Sequence, residues 1–389
     1  MVKLRNDLLE EILTQPTAPF REKHVIAAIT RRFDAEGVPY FLDPVENIVV
    51  GASSKNDYLR LIQRRSREPV RIFMAHMDHP GFHGVKWKSP RELEIQWHGG
   101  SPTRHLTGAK VWLASAAQGL AGEGTLSHMK MLSSGHAIKS GTVRVNFPGA
   151  RFKDAKSLYG GLHFRKFFWR KGKLIYTKAA DDLVGSFAIA SLALDLKHKK
   201  VKAPWLGLLT RAEEVGFIGA IGHFNLGWLE KARREILCVS LETSRTLPGA
   251  EIGKGPVVRL GDRYTVFHPG ALRVFTELAQ KTLPGKHQRR IMDGGTCEAT
   301  AATVFGFPSI GISVPLGNYH NQSFEGGPDS RGPFGPAPEF VHVDDVGGLV
   351  ELCHALLKPN AAWFKPWEER KKAFRGDFRK SLALLRSGP

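Results

Sequence analysis

Thr210-Arg211-Ala212-Glu213-Glu214-Val215-Gly216 is the stretch on which the reading of this chain turns. It follows Ala203-Pro204-Trp205-Leu206-Gly207-Leu208-Leu209, an apolar run that predicts a buried strand. It precedes Phe217-Ile218-Gly219-Ala220-Ile221-Gly222-His223-Phe224, which predicts the opening of a helix or a tight turn into one. Two adjacent carboxylates just past a strand end repel each other unless a cation or a proton sits between them. A metal ion with a general base beside it uses both groups, and a solvated acidic turn is the plain alternative. The choice between them depends on where the other metal-type residues fall.

Composition bounds the answer. At 389 residues the chain is long for a single core, which predicts one large domain with a second unit. A hydrophobic fraction of 42% and a charged fraction of 24% place it with ordinary globular proteins rather than disordered or fibrous ones. No apolar run reaches the length of a membrane span, so no membrane partner is expected. Met1 to Gln15 mixes charges with Leu8, Leu9, Ile12 and Leu13 at helical spacing and lacks the apolar core of a signal peptide. Cys238, Cys297 and Cys353 lie far apart with no C-x-x-C pair, so neither a disulfide framework nor a thiolate zinc site is indicated. A reducing, cytoplasmic setting is expected.

The 56 Lys and Arg outnumber the 37 Asp and Glu, giving a net charge of +19. Between Lys130 and Lys178 twelve cations face a single acid, Asp154. Within that run, His163-Phe164-Arg165-Lys166-Phe167-Phe168-Trp169-Arg170-Lys171-Gly172-Lys173 interleaves aromatics with cations. Such a pattern can stack bases and neutralise phosphates. A strand pair with one buried aromatic face and one basic solvated face explains it without a nucleic acid, which is not an expected partner. Attraction of an acidic substrate is a third use of the charge.

Along the chain, residues 6–35 predict two helices broken near Pro16-Thr17-Ala18-Pro19, and Val38 to Val50 predicts short strands. Val70-Arg71-Ile72-Phe73-Met74-Ala75-His76-Met77-Asp78 is an apolar strand ending in His-x-Asp. Residues two apart on an extended segment point the same way, so Asp78 can orient His76. From Val85 to Gly161 short alternating runs separated by glycine-rich turns predict an inserted, mostly β unit. Leu174 to Asp182 then ends a strand in Asp181-Asp182 ahead of an Ala/Leu-rich helix over 183–197, where a capping pair is the plain explanation of the two acids. Ile236 to Glu242 is an apolar strand ending in a carboxylate that is costly to bury unpaired. Gly294-Gly295-Thr296-Cys297-Glu298 opens another helix, and Ser309 to Pro315 runs as a strand toward His320. Ser323 to Phe340 predicts a loop, and His342 to Leu357 a helix. The tail from Lys365 to Arg386 predicts a basic helix that is solvated or faces a partner.

His76, Asp181, Glu214, Glu242 and His320 all stand where strand-like runs stop, which is where open α/β sheets bind ligands. Two His and three carboxylates suit two divalent ions with one carboxylate bridging, and Glu213 is left over to act as a base.

Ala75-His76-Met77-Asp78-His79-Pro80-Gly81-Phe82, Ala180-Asp181-Asp182, Glu213-Glu214-Val215-Gly216, Gly294-Gly295-Thr296 and the late His320 resemble the ordered motifs of tetrahedral, glutamyl and deblocking aminopeptidases, a family that includes proteins once labelled endoglucanases. The resemblance spans nearly the whole chain. It implies an α/β fold of the di-zinc exopeptidase kind, a doubly wound mixed sheet flanked by helices. Residues 1–86 and 164–389 would form the catalytic domain, and 87–163 the inserted small β-rich domain. It implies His76 and His320 as terminal ligands, Asp181 as the bridge, and Glu214 and Glu242 as the remaining ligands. Glu213 would be the general base and Asp78 the orienter of His76. Two divalent ions are implied, zinc first, with cobalt or manganese as alternatives. The expected substrate is a short peptide, acidic ones included, and the expected assembly a homo-oligomer, by resemblance a dodecamer. Glu242 stands where the family usually has Asp, and Cys297-Glu298 where it commonly has Asp-Ala. Related hydrolases with Glu at the first place include deacylases and carboxypeptidases, which makes a di-metal deacylase or carboxypeptidase the alternative activity. An inactive scaffold holding an anionic polymer is the alternative of a different class.

Overall fold

The strand Val70–His76 is buried at every residue and lies near the middle of an eight-stranded mixed sheet. The computed structural model describes residues 4–359, 361–363 and 365–387. In spatial order the sheet runs Tyr40–Leu42, Ile48–Val50, Trp205–Thr210, Val70–His76, Ile236–Arg245, Ser309–Leu316, Val257–Asp262 and Gln288–Met292. The four strands from Trp205–Thr210 to Ser309–Leu316 are mutually parallel, so their carboxyl ends share one edge of the sheet. Almost every residue of these four strands is buried, because helices cover both faces of the sheet.

The helix Leu183–His198 shows why the core closes on this edge. Every residue from Leu183 to Leu196 is buried, a helix apolar all round that is stable only inside a layered domain. Each fully buried Leu, Ile or Phe there contributes about 1.5–3 kcal/mol of transfer free energy. Asp182 caps its start by accepting the Gly185 N–H at 3.1 Å. A Cβ at Gly185 would come within 2.1 Å of the Asp182 carboxylate, so the cap requires that glycine. Ser186 Oγ donates to the His76 carbonyl at 2.8 Å, tying the helix start to the end of the central strand.

The inserted unit is a closed six-stranded antiparallel barrel: Gly81–Ser89, Glu92–His98, Ile138–Val145, Gly119–Met131, Lys110–Ser115 and Leu158–Leu162, which pairs back with the first. Its strands begin at Gly81, ahead of position 87. Leu93, Ile95 and Trp97 alternate inward along the second strand, the period-two pattern that marks a half-buried strand. The aromatic-basic run forms a strand pair, Phe168–Lys171 with Leu174–Thr177, in which Trp169 stacks on Tyr176 at 5.2 Å. The loop after His320 ends at Pro338, earlier than its sequence suggests, because Glu339–His342 pairs as a third strand with Leu174–Thr177.

Candidate metal centre and active site

The sheet's carboxyl edge delivers the site. His76 is the last residue of its strand, and Glu213 and Glu214 lie in the turn after Trp205–Thr210. Glu242 is carried by Ile236–Arg245, and His320 follows Ser309–Leu316. Asp181 precedes the long helix, and the two adjacent acids divide their work: Asp182 caps while Asp181 faces the imidazoles. Asp181 Oδ1 lies 3.5 Å from His76 Nε2, and its Oδ2 lies 3.7 Å from His320 Nε2. His320 Nε2 is also 3.1 Å from Glu214 Oε2, and His76 Nε2 is 3.8 Å from Glu213 Oε2. Three overlapping groups have ligand atoms within 4.8 Å of one another: His76–Asp181–Glu242, His76–Glu213–Glu214, and Asp181–Glu214–His320.

Asp78 sits behind this cluster. Its Oδ1 is 3.6 Å from His76 Nδ1, which is also 3.2 Å from the Asp78 carbonyl. Its carboxylate accepts the backbone N–H of Glu213 at 2.9 Å and of Glu214 at 3.2 Å, so it holds the acidic turn as well as facing His76. That turn is bent through left-handed backbone at Ala212 (φ 52°) and Phe217 (φ 59°), each a cost of about 1–2 kcal/mol for a non-glycine residue. Buried Glu22 offsets it by accepting the Ala212 N–H at 3.0 Å and the Arg211 Nε–H at 2.8 Å.

Burial dominates the electrostatics. It pushes the Glu213 carboxyl well above its usual range, with Glu242, Glu214 and Asp78 adding repulsion against the opposing pull of His76. Burial likewise raises Glu242 to about 8, opposed by His76 and Arg259 and reinforced by Asp181. Burial works against a charged His320, yet Glu214 and Asp181 hold its imidazole up at about 9. Too much negative charge is packed in a dry space, the condition that a cation relieves. Asp181 Oδ1, Glu214 Oε1, Glu242 Oε1 and His320 Nε2 are buried without a hydrogen-bond partner. Unpaired buried groups of this kind are rare, and here all four belong to one donor set of two imidazoles and carboxylates. The residues fit divalent ions.

Several contributors were not singled out by sequence reasoning. Glu339, fully buried, accepts the N–H of Ala180 at 2.6 Å, of Asp181 at 3.2 Å and of His320 at 2.9 Å. His79 lies 2.7 Å from the Asp181 carbonyl and 3.1 Å from Asn321 Oδ1, and burial lowers it to about 4, leaving it neutral. Gly100 brings the barrel against the site, since a Cβ there would lie 1.9 Å from His320 Nδ1. The signal for Glu339 was a carboxylate inside Ala337-Pro338-Glu339-Phe340-Val341, but the neighbouring Pro and Gly made that stretch read as loop.

Beside the cluster a cavity is lined by Arg245, Leu247, Arg259, Met292 and the Gly294–Thr296 turn as well as by His76, Asp181 and Glu213. None of its lining residues comes from the basic run over 130–178. Arg165 in that run is instead held by Asp329, and Lys173 by Asp344. The cations at the cavity are Arg245 and Arg259.

A family model described as M42 glutamyl aminopeptidase matches residues 59–324, more than half of the chain. The chain belongs to the M42 glutamyl aminopeptidase family. It is therefore a peptidase, and M42 peptidases are metal-dependent. Solved structures agree on the fold. The TET1 peptidase of Pyrococcus horikoshii, which can assemble into a tetrahedron or a large octahedral shell, is 20% identical over 91% of this chain and 99% of its own, with a TM-score of 0.70. Aminopeptidase APDkam598 from the archaeon Desulfurococcus kamchatkensis is 17% identical over 94% and 99%, with a TM-score of 0.71. An endoglucanase of Thermotoga maritima is 16% identical over 92% and 99%, with a TM-score of 0.62. Across this M42 peptidase, no helix among the described residues is long and apolar enough to cross a membrane.

Proposed function

We propose that the chain is an aminopeptidase that removes N-terminal residues from short peptides with two divalent ions. His76, Asp181 and Glu242 would hold one ion, and His320, Asp181 and Glu214 the other. The observation that carries this reading is Asp181, whose two oxygens address two different imidazoles at 3.5 and 3.7 Å. Such ions, zinc first and cobalt or manganese as alternatives, supply Lewis acidity toward the scissile carbonyl and lower the pKa of a water.

The chain's own groups do the rest. Glu213 takes a proton from the attacking water as its oxygen adds to the carbonyl carbon, and then gives that proton to the amine nitrogen as the C–N bond breaks. Asp78 keeps Glu213 in place through the turn's backbone. Arg259 is only 2% exposed, its Nε has no hydrogen-bond partner, and its Nη1 donates to Ser244 Oγ at 3.5 Å. Glu242, Asp262 and Asp181 act on this guanidinium at longer range, but none forms an ion pair with it among the described residues, which leaves its donors to an acidic substrate side chain.

Those same arginines favour a second reading, in which they hold the carboxylate of an N-acyl amino acid and the enzyme is a deacylase. Glutamyl and leucyl amides assayed beside N-acetylglutamate after metal loading separate the two. Release of ammonia from glutamyl amide supports the aminopeptidase, and acetate release alone supports the deacylase. Self-assembly belongs to the same reading, since a TET1 relative was solved as a dodecamer. Three buried, unpaired cysteines fit a reducing compartment such as the cytoplasm.

A further inference from the structure

The C-terminal helix Glu368–Arg386 has no buried residue along its whole length. At about 1.5 Å per residue it is a rod of roughly 28 Å. Trp367, Phe374, Phe378 and Leu385 stand seven, four and seven residues apart, a spacing that returns to one face of a helix. They are 49%, 63%, 56% and 69% exposed, a strip of large apolar groups open to water. Monomeric surfaces rarely carry contiguous apolar patches of this kind without a partner.

The remaining faces are basic. From Glu368 to Arg386 seven Lys and Arg stand against three acids, Glu368, Glu369 and Asp377. Arg370 lies over the Phe374 ring at 5.6 Å, its stem beside the apolar strip and its charge outside. An aromatic and leucine strip with flanking cations and low overall hydropathy is the pattern of a helix that lies in a membrane interface. Pairing with the same helix of a second copy would bring two equally basic rods together, which charge disfavours.

We propose that the C-terminal helix is a docking surface for an anionic lipid membrane, on which the enzyme rests without spanning it. Its position suits that role. Trp367 shares an apolar groove with Pro69, Ile236, Leu237 and Pro308, at the amino ends of the central strands. The metal-type residues lie at the carboxyl ends of the same strands, so docking leaves the active site facing away.

Co-sedimentation of the full chain with vesicles tests this, using phosphatidylcholine alone and phosphatidylcholine mixed with phosphatidylserine. The protein is expected to sediment with the phosphatidylserine vesicles only, and raised salt should weaken the binding. The double variant Phe374→Ser/Phe378→Ser should lose at least about ten-fold in binding while keeping its assembly mass, its fold by circular dichroism and its peptidase activity. Equal behaviour on both vesicles, or no sedimentation with either, overturns the proposal. So does full binding by the double variant, which would assign the attraction to the chain's net charge. A double variant that loses assembly mass assigns the strip to a second copy and also overturns it.

Discussion

Glu339 and Asp181 are joined through the backbone: a carboxylate 19 residues past His320 accepts the N–H of Asp181 at 3.2 Å and the N–H of His320 at 2.9 Å. One buried side chain thus fixes the bridging candidate and one terminal candidate together. Glu339→Gln puts an amide NH2 where one of the accepting oxygens stands. We expect metal affinity to fall about 10–100-fold, the usual effect of losing an outer partner of a ligand. Metal titration checks this, and recovery of activity at higher metal concentration would distinguish positioning from general misfolding. Unchanged affinity would remove the role.

Glu213→Gln keeps the shape of the turn and removes the base. Turnover is expected to fall about 10²–10⁴-fold, the range for losing general acid–base catalysis, while bound metal stays at the wild-type ratio. Loss of metal in that variant would make Glu213 a ligand instead.

Gly100→Ala asks whether the barrel shapes the site. The added methyl would lie 1.9 Å from His320 Nδ1 and forces the ring or the loop after Glu92–His98 to move. Activity is expected to fall by at least about ten-fold, since small displacements of a catalytic group cost that and more. Retained activity with normal metal content would show that the barrel moves freely instead.

The layout of the sheet was legible because its signals are local. An apolar run ending in His76 or Glu242 reports both burial and the strand end, and on a parallel sheet those ends converge. Asp181 and Asp182 were visible as a pair, but only folding separates cap from site, because the division depends on the Gly185 N–H and on two distant imidazoles. Glu339, His79 and Gly100 were silent for the same reason: each acts on atoms far away in sequence. The role of the basic run was not legible because a count of charges does not say which way they face. The cavity's cations, Arg245 and Arg259, are isolated in sequence and form no cluster there.

Lys178 gives a pH test at a group that is not itself a proposed metal ligand. Its ammonium nitrogen is buried without a hydrogen-bond partner, 5.5 Å from the Trp112 and Phe167 rings. Burial lowers it to about 7, with Glu339 opposing, against an ordinary value of 10.5. Between those values the unfolded chain binds the proton that the folded chain has released, so this residue's contribution to stability rises with pH. Lys178→Met removes that dependence. The variant should therefore have the higher Tm at pH 7, and its advantage should shrink as pH rises toward 10. Melting curves across that range check it, and an advantage that grows with pH would contradict it.

The central claim is a pair of ions joined by Asp181, and elemental analysis of metal-loaded, desalted protein tests it most directly. The account predicts two divalent ions per chain in the wild type and a loss of both on Asp181→Ala, with the fold retained by circular dichroism. One ion or none in the wild type, or two ions still bound in the Asp181→Ala variant, would contradict it.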